Sequence, residues 1–250
     1  MSVRPVVVVR PPTPDARRLW KLMLSLAGEF GIDREWSLIG GLMVQLHGFE
    51  NDDDPRATAD IDVLGGARRP PRMTEGIAAL LVGRGAEIAT PPRTNSKLGY
   101  RFELEGAIVE LLAPDGLRRD PMTVGGLRTF QVPGGTQALR RTEVVLVSLD
   151  GEDSIPVRRP NLVGAVLIKA RVVTKNREGK YQSDRQDLIR LLGYVDDPRT
   201  VGTALSQSEK AWLVMAEGAI DFDDGSLLEL FPRETLVRAR QSLRLLAQAS

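Results

Sequence analysis

Residues 57–64 read Ala-Thr-Ala-Asp-Ile-Asp-Val-Leu and are followed by Gly65-Gly66. A short run of β-branched and apolar residues that ends at glycine is typical of a buried strand. In a strand, residues i and i+2 point to the same face, so Asp60 and Asp62 project together while Ile61 enters the core. This stretch therefore predicts a buried strand with two carboxylates side by side on one face.

Paired carboxylates on a buried strand repel each other unless a cation neutralises them. Mg²⁺ suits such an open pair, because it prefers hard oxygen ligands and retains waters and substrate phosphates. The alternative is a solvated edge strand, on which both acids face water. The flanking residues Ile61, Val63 and Leu64 favour a central strand, and with it a metal site.

Composition narrows the chemistry of any metal site. The 250 residues contain no cysteine and one histidine, His47, which excludes disulfides, thiolate or multi-histidine metal sites and cysteine nucleophiles. Lys and Arg number 34 against 33 Asp and Glu, and the net charge of +1 provides no overall attraction to nucleic acid. Any metal must therefore be bound by carboxylates.

The N-terminal apolar run is short. Residues Val6–Val9 end at Arg10 and two prolines, within a segment, 1–12, that we predict to be an extended arm. The run is too short for a secretory signal or a membrane span. We therefore expect a cytoplasmic protein.

Hydrophobic periodicity predicts an α/β (α+β) protein with two domains. After residue 160 the β-branched clusters disappear, so we place a core domain over 1–158 and a helical domain over 159–250. Helices are predicted over 13–28, 42–48, 73–84, 161–175, 183–194, 199–217 and 232–248, strands over 36–39, 57–64, 87–89, 100–104 and 107–112, and strands with turns over 129–160.

Gly40-Gly41 lies at a predicted strand-to-helix turn about twenty residues before the aspartates. Bare backbone can approach a phosphate closely there, and the N-terminus of the following helix offers unpaired N–H groups. An ordinary tight turn is the alternative. The presence of Asp60 and Asp62 favours an anion site that converges with the metal site.

The segments 37–43 and 56–64, with Gly40-Gly41 and Asp60-Ile61-Asp62, resemble the Gly-Gly (or Gly-Ser) and Asp-x-Asp motifs of polymerase-β-type nucleotidyltransferases. They look closest to the AbiEii and MenT-type branch, the toxins of type IV toxin–antitoxin pairs. The resemblance spans about residues 36–190 by motif order. It implies a catalytic core with a mixed sheet flanked by helices, followed by the helical domain.

The resemblance also implies a third acidic ligand on a neighbouring strand. Glu110 is the best match, with Glu103 in reserve, and an outward-facing acid is the alternative for Glu110. Asp60, Asp62 and Glu110 would then bind Mg²⁺, or Mn²⁺ in its place. The substrate would be a nucleoside triphosphate, with its phosphates at Gly40-Gly41.

The toxin branch carries a helical lysine, then basic residues and an acidic signature, and Lys169, Arg171, Lys180, Asp184 and Asp187 follow in a similar order. The resemblance implies that Lys169 contacts the β- and γ-phosphates, supplemented by Arg171 or Lys180. Asp184 would orient Lys169 or help to deprotonate the acceptor, so that the helical domain contributes both residues to the cleft. The alternatives are a surface lysine and a first-turn helix acid.

We therefore expect an enzyme that transfers a nucleoside monophosphate from an NTP to an RNA 3′ end, with tRNA as the favoured acceptor. As a toxin of a toxin–antitoxin or phage-defence pair, it would be neutralised by an antitoxin protein. Alternatives are an antibiotic-type, small-molecule nucleotidyltransferase and a non-catalytic nucleotide- or RNA-binding pseudoenzyme. The RNA acceptor is favoured by arginines, several of them in loops after the predicted active-site strands, that could hold a phosphate backbone. The alternative is that they are ordinary solvated surface residues. They are Arg68, Arg69, Arg72, Arg84, Arg93, Arg118 and Arg119.

Overall fold

The computed structural model describes residues 6–53, 56–89, 97–175 and 181–249. The chain divides into two compact units, Met1–Asn161 and Leu162–Ser250. That the first domain is catalytic, and that the second contributes Lys169 and Asp184 to its cleft, stay predictions. In chain order, the first unit contains β1 (Val6–Val9), α1 (Pro14–Phe30), β2 (Trp36–Ile39), α2 (Gly40–Glu50), β3 (Asp60–Gly65), α3 (Met73–Gly83), β4 (Glu87–Ile88), β5 (Arg101–Leu104), β6 (Ala107–Pro114), β7 (Gln131–Val132), α4 (Gly135–Arg140), β8 (Thr142–Leu149) and β9 (Ile155–Pro160).

The larger sheet has the strand order β2-β3-β6-β5-β4, and β7 pairs with β6. Its central part is mixed, because β3 runs antiparallel to β2 and parallel to β6. Ile61 and Val63 of β3 are fully buried. The prediction of a mixed α/β fold with β3 as a buried, central strand is therefore confirmed.

A smaller sheet has the strand order β1-β8-β9, with β1 parallel to β8. Val7 and Val9 are buried, whereas Val6 is exposed. This alternation of buried and exposed side chains is what a half-buried strand requires. Residues 6–9, predicted as part of an extended arm, thus form a strand within a sheet.

Helix α1 begins and ends at recognisable signals. Thr13 caps its N-terminus by accepting a hydrogen bond from the Ala16 N–H at 3.2 Å. The helix continues past Gly28 to the fully buried Phe30 and ends where Gly31 adopts a φ of 76°. The predicted end at Gly28 was wrong, because burial of the last turn outweighs the low helix propensity of one glycine.

Helix α4 was missed, because strands and turns were predicted throughout 129–160. It has only six residues and follows Gly134, whose φ is 83°. The Asp115 carboxylate, from the loop after β6, accepts the N–H groups of Gly134 and Thr136, each at 2.9 Å. A helix this short shows no periodicity, and its cap comes from a residue distant in sequence.

The second unit is helical over its described residues. The predicted single helix 199–217 is wrong, because Ser206 and Glu209 form a capping box that starts a separate helix. No described helix combines the length and apolar character needed to cross a bilayer. The helices are α5 (Leu162–Lys175), α6 (Tyr181–Gly193), α7 (Pro198–Thr203), α8 (Gln207–Ala219), α9 (Gly225–Leu230) and α10 (Arg233–Gln248).

His47, near the end of α2, is buried in the first unit. Its Nε2 lies 3.1 Å from the Pro160 carbonyl oxygen, and its Nδ1 lies 3.6 Å from the Glu50 carboxylate. Arg159, on β9, donates a hydrogen bond to the Glu50 carboxylate. Burial lowers the pKa of His47, and the Glu50 carboxylate only partly offsets this effect. Near neutral pH the imidazole is therefore uncharged in the folded protein.

We predict that the free energy of unfolding falls as the pH drops from about 7 to 5. In this window the unfolded chain protonates His47 near its ordinary pKa of about 6.5, whereas the folded chain resists protonation. His47→Gln, whose amide can still donate to Pro160, should flatten the dependence in urea unfolding at a series of pH values. The chain has no other histidine, and the pKa of Glu50 is lowered below its ordinary acidic value, so Glu50 titrates below this pH window. If the unfolding free energy of His47→Gln depended on pH as steeply as that of the unmodified protein, His47 would not be the group responsible.

Candidate metal centre

Asp60 and Asp62 on β3 and Glu110 on β6 form one cluster of carboxylates. Each offers an oxygen that lies within 4.8 Å of the other two, an arrangement that could hold a metal ion. Glu110 is buried and the two aspartates are half-buried. All three predicted ligands are therefore brought together, and the donor set of hard oxygens fits a divalent ion such as Mg²⁺ or Mn²⁺.

Strand register decides which acid joins the pair. In the parallel ladder between β3 and β6, Asp62 lies beside Glu110 and Asp60 beside Ile108. Glu103 on β5 lies beyond Ile108 in the same row, two strands from Asp60, and is exposed. Neighbouring strands are about 4.8 Å apart, so two strand spacings leave Glu103 outside the cluster.

Arg101 is a site residue that the sequence interpretation missed. It lies on β5 directly opposite Glu110, and its Nε is 3.4 Å from a Glu110 carboxylate oxygen. The guanidinium group offsets part of the negative charge of the cluster. Counting back from the hairpin turn at Glu105-Gly106 would have revealed this pairing.

Thr58 and Gln45 position the start of β3, and neither was singled out from the sequence. The Thr58 hydroxyl donates to the Asp60 carboxylate at 2.8 Å. The Gln45 amide donates to the Arg56 carbonyl at 3.0 Å and accepts from the buried Trp20 indole at 2.8 Å. Helices α1 and α2 are thereby tied to the segment that leads into the aspartates.

Gly40 and Gly41, at the start of α2, are in close contact with the cluster. Gly40 has a φ of 68°, and a Cβ built on it would lie 1.8 Å from an Asp62 carboxylate oxygen. A Cβ on Gly41 would lie 2.6 Å from the Thr58 hydroxyl oxygen. The N-cap residue, Ile39, offers no side-chain hydrogen bond. Glycine is therefore required so that the helix N-terminus and the carboxylates can lie together.

Lys169 on α5 is buried within the second unit. Its Nζ lies 2.8 Å from Asp184 and 2.7 Å from Asp187, which is fully buried. Burial lowers the pKa of the lysine, but the two aspartates outweigh burial and raise the pKa above its usual value. The contact between Asp184 and Lys169 is thus present, whereas contact of Lys169 with phosphates stays a prediction.

Arg171, two residues further along α5, lies against an aromatic ring. Its guanidinium carbon is 5.0 Å from the Trp212 ring centroid on α8, a distance typical of a cation–π contact. Its proposed contact with nucleotide stays a prediction. Lys180, the other predicted basic residue, lies outside the described residues.

Comparisons with known proteins support the fold. No family model and no curated protein matches the sequence. The structure is similar to the crystal structure of an antigenic nucleotidyltransferase-like protein from Paracoccidioides brasiliensis, with a TM-score of 0.50 and 14% sequence identity. The likeness covers 92% of this chain and 94% of that chain. At this identity it shows a nucleotidyltransferase-like fold and leaves the AbiEii and MenT branch as a hypothesis.

We predict that Gly40→Ala weakens binding of a divalent ion. The added Cβ must displace the Asp62 carboxylate, so affinity for Mn²⁺ should fall about 10- to 100-fold in an EPR titration. Gly28→Ala is the matched control, because a Cβ on this exposed helical glycine meets nothing within 4 Å. Equal Mn²⁺ affinity in the two variants would show that Gly40 does not position a metal ligand.

We also predict that Lys169→Met destabilises the protein by about 3–5 kcal/mol, because it leaves the buried Asp187 charge without its lysine partner. Lys175→Met, at the exposed end of the same helix, should change the free energy of unfolding by no more than about 0.5 kcal/mol. Chemical denaturation of both variants measures the difference. If Lys169→Met were as mild as its control, Lys169 would have no such structural role.

Proposed function

We propose that this chain is a metal-dependent nucleotidyltransferase that transfers a nucleoside monophosphate from an NTP to an RNA 3′ end. The observation that carries the proposal is the cluster of Asp60, Asp62 and Glu110 beside the Gly40-Gly41 helix start. An uncapped helix N-terminus favours phosphate, and the adjacent carboxylates favour a divalent ion. The nucleotidyltransferase-like fold supports the same reaction class.

In the proposed reaction, the acceptor hydroxyl oxygen forms a bond to the α-phosphorus of the NTP. The bond from that phosphorus to the oxygen that bridges to the β-phosphate breaks, so pyrophosphate leaves. Divalent ions bound at the three carboxylates would polarise the α-phosphate and lower the pKa of the attacking hydroxyl. The hydroxyl proton passes to a base, for which the family resemblance offers Asp184.

The protein's own groups set the geometry of this reaction. Thr58 fixes one carboxylate through its hydrogen bond to Asp60. The backbone at Gly40-Gly41 would face the phosphates of the NTP, and Lys169 and Arg171 would bind its β- and γ-phosphates, as the family resemblance implies. Lys169 would need to exchange part of its contact with Asp184 for phosphate.

The toxin role, the tRNA acceptor and the antitoxin partner belong to the proposal through the same resemblance. Exposed arginines after the strands of the larger sheet support an RNA acceptor, and Arg69, Arg118 and Arg119 are among them. Arg84 is occupied by ion pairs with Glu29 and Glu105, and Arg93 lies outside the described residues.

A nucleotide-binding protein without turnover is the second candidate. The observation in its favour is Arg101, whose guanidinium Nε lies 3.4 Å from Glu110. This pairing neutralises one of the three carboxylates and so weakens the attraction of the cluster for a second metal ion. Such a protein would bind NTP and form no product.

The test is incubation of the purified protein with Mg²⁺, total tRNA and each of the four α-³²P-labelled NTPs. We predict that Asp60→Asn with Asp62→Asn lowers label transfer at least about 100-fold, because the divalent ions lose their ligands. Glu103→Gln, which removes an exposed acid outside the cluster, should retain the activity of the unmodified chain.

Undiminished transfer by the double aspartate variant would refute the proposed site. Absence of label on any RNA, with NTP binding retained in an equilibrium assay, would favour the pseudoenzyme. Label on a small-molecule acceptor alone would move the assignment to the antibiotic-type class.

A further inference from the structure

A cavity of about 600 Å³ lies at the opposite end of β3 from Asp60. Its walls come from three parts of the first unit, namely the segment before β2, the loop from β3 to α3, and helix α4 with the end of β6. Its volume is in the range of ligand-binding pockets. Arginines form much of the lining, at positions Arg34, Arg68, Arg69 and Arg140.

Within the described part of the chain, three of these arginines have side chains without a protein partner. All are exposed, and among the described residues no side chain forms an ion pair or hydrogen bond with Arg34, Arg69 or Arg140. Three guanidinium groups around one cavity repel one another, and an anion between them would relieve that repulsion. The arrangement therefore favours a ligand with negative charge.

Arg68 serves a different purpose in the cavity wall. Its guanidinium group donates to the Asp115 carbonyl at 2.8 Å and to the Thr136 hydroxyl at 3.1 Å. These bonds link the loop after β3 to the loop after β6 and to α4. Because these acceptors are neutral, the hydrogen bonds themselves do not offset its positive charge, which adds to that of its neighbours.

The two acidic residues in the lining, Asp33 and Glu35, lie near another arginine, Arg158. Burial lowers the pKa of Arg158, and the nearby carboxylates of Glu35 and Asp33 offset this effect only in part. Arg158 itself is held by hydrogen bonds to the carbonyls of Trp36 at 2.9 Å and Ile32 at 2.7 Å. With these two acids balanced in part by Arg158, the four lining arginines leave the cavity with a positive charge.

Distance separates this cavity from the metal centre. Gly66, at the cavity end of β3, is four residues beyond Asp62, or about 13 Å at about 3.3 Å per residue. Phosphates held at the carboxylates would therefore lie about 13 Å from this end of the cavity. A polymer with a phosphate at every residue can occupy both places, and guanidinium forks match phosphate oxygens in geometry.

We infer that the Arg34–Arg69–Arg140 cavity binds backbone phosphates of the RNA acceptor at a site separate from the metal centre. The inference rests on the proposed function only in its choice of RNA as the polyanion. It requires neither a metal ion nor catalysis, so binding can be tested in EDTA without NTP.

The experiment measures fluorescence anisotropy of a fluorescein-labelled tRNA transcript over a series of KCl concentrations. At low salt, the triple variant Arg34→Gln, Arg69→Gln, Arg140→Gln should bind the tRNA at least about tenfold more weakly than the unmodified protein. The slope of log K against log salt should become shallower by about 2 to 3, because each lost phosphate contact contributes about 0.7–0.9. Replacing the same three arginines by lysine should restore the slope but only part of the affinity, because lysine keeps the positive charge without the guanidinium fork.

The matched control removes the same charge elsewhere, through Arg10→Gln, Arg233→Gln and Arg238→Gln, all exposed positions. It should retain both affinity and slope. Equal losses in the two triple variants would attribute binding to net charge and overturn the inference, as would unchanged binding in the cavity variant. Binding of inorganic pyrophosphate by the unmodified protein, without any binding of tRNA, would also overturn it.

Parallel transfer assays separate this inference from the proposed function. If the unmodified protein labels tRNA and the cavity variant binds tRNA normally, the inference fails and the proposed function stands. If even the unmodified protein does not label tRNA, but the cavity variant loses affinity for tRNA, the inference stands and the proposed function fails.

Discussion

The repulsion between three carboxylates on adjacent strands is the constraint on which the arrangement of the first unit depends. Asp60, Asp62 and Glu110 lie within 4.8 Å of one another, on strands whose other face is buried. Such a cluster costs stability unless hydrogen bonds or cations compensate for it. Thr58 and Arg101 provide part of the compensation, and a divalent ion with a nucleotide phosphate would provide the rest.

In the second unit, a buried lysine compensates for the repulsion between neighbouring acids. Lys169 lies between Asp184 and Asp187, and these three side chains are largely shielded from water. Their charges sum to −1, so the group as it stands has little positive charge to offer a triphosphate. Contact of Lys169 with phosphate therefore requires that the ion pair rearranges, whereas Asp60 and Asp62 of the first unit are half-buried and lie with Glu110 in a cluster that could hold a cation.

The glycine pair shows how a local sequence signal gains its meaning from tertiary contact. Taken alone, Gly40-Gly41 fits any turn between a strand and a helix. In the structure, the Asp62 carboxylate occupies the volume that a Cβ on Gly40 would need, and Thr58 does the same at Gly41. The glycines therefore place a helix N-terminus against the carboxylates, which joins two features that are about twenty residues apart.

The sequence by itself determined the buried strand, its paired aspartates and the exclusion of thiolate and multi-histidine chemistry, because alternation and composition are local properties. Glu110 could be matched as a third ligand only through the family resemblance, since its place beside Asp62 depends on the register of β6 on β3. Tertiary structure alone decided the pairing of Arg101 with Glu110, helix α4 with its cap from Asp115, and the arginine cavity. Each of these joins segments distant in sequence, and packing between such segments leaves no periodic signal in the chain.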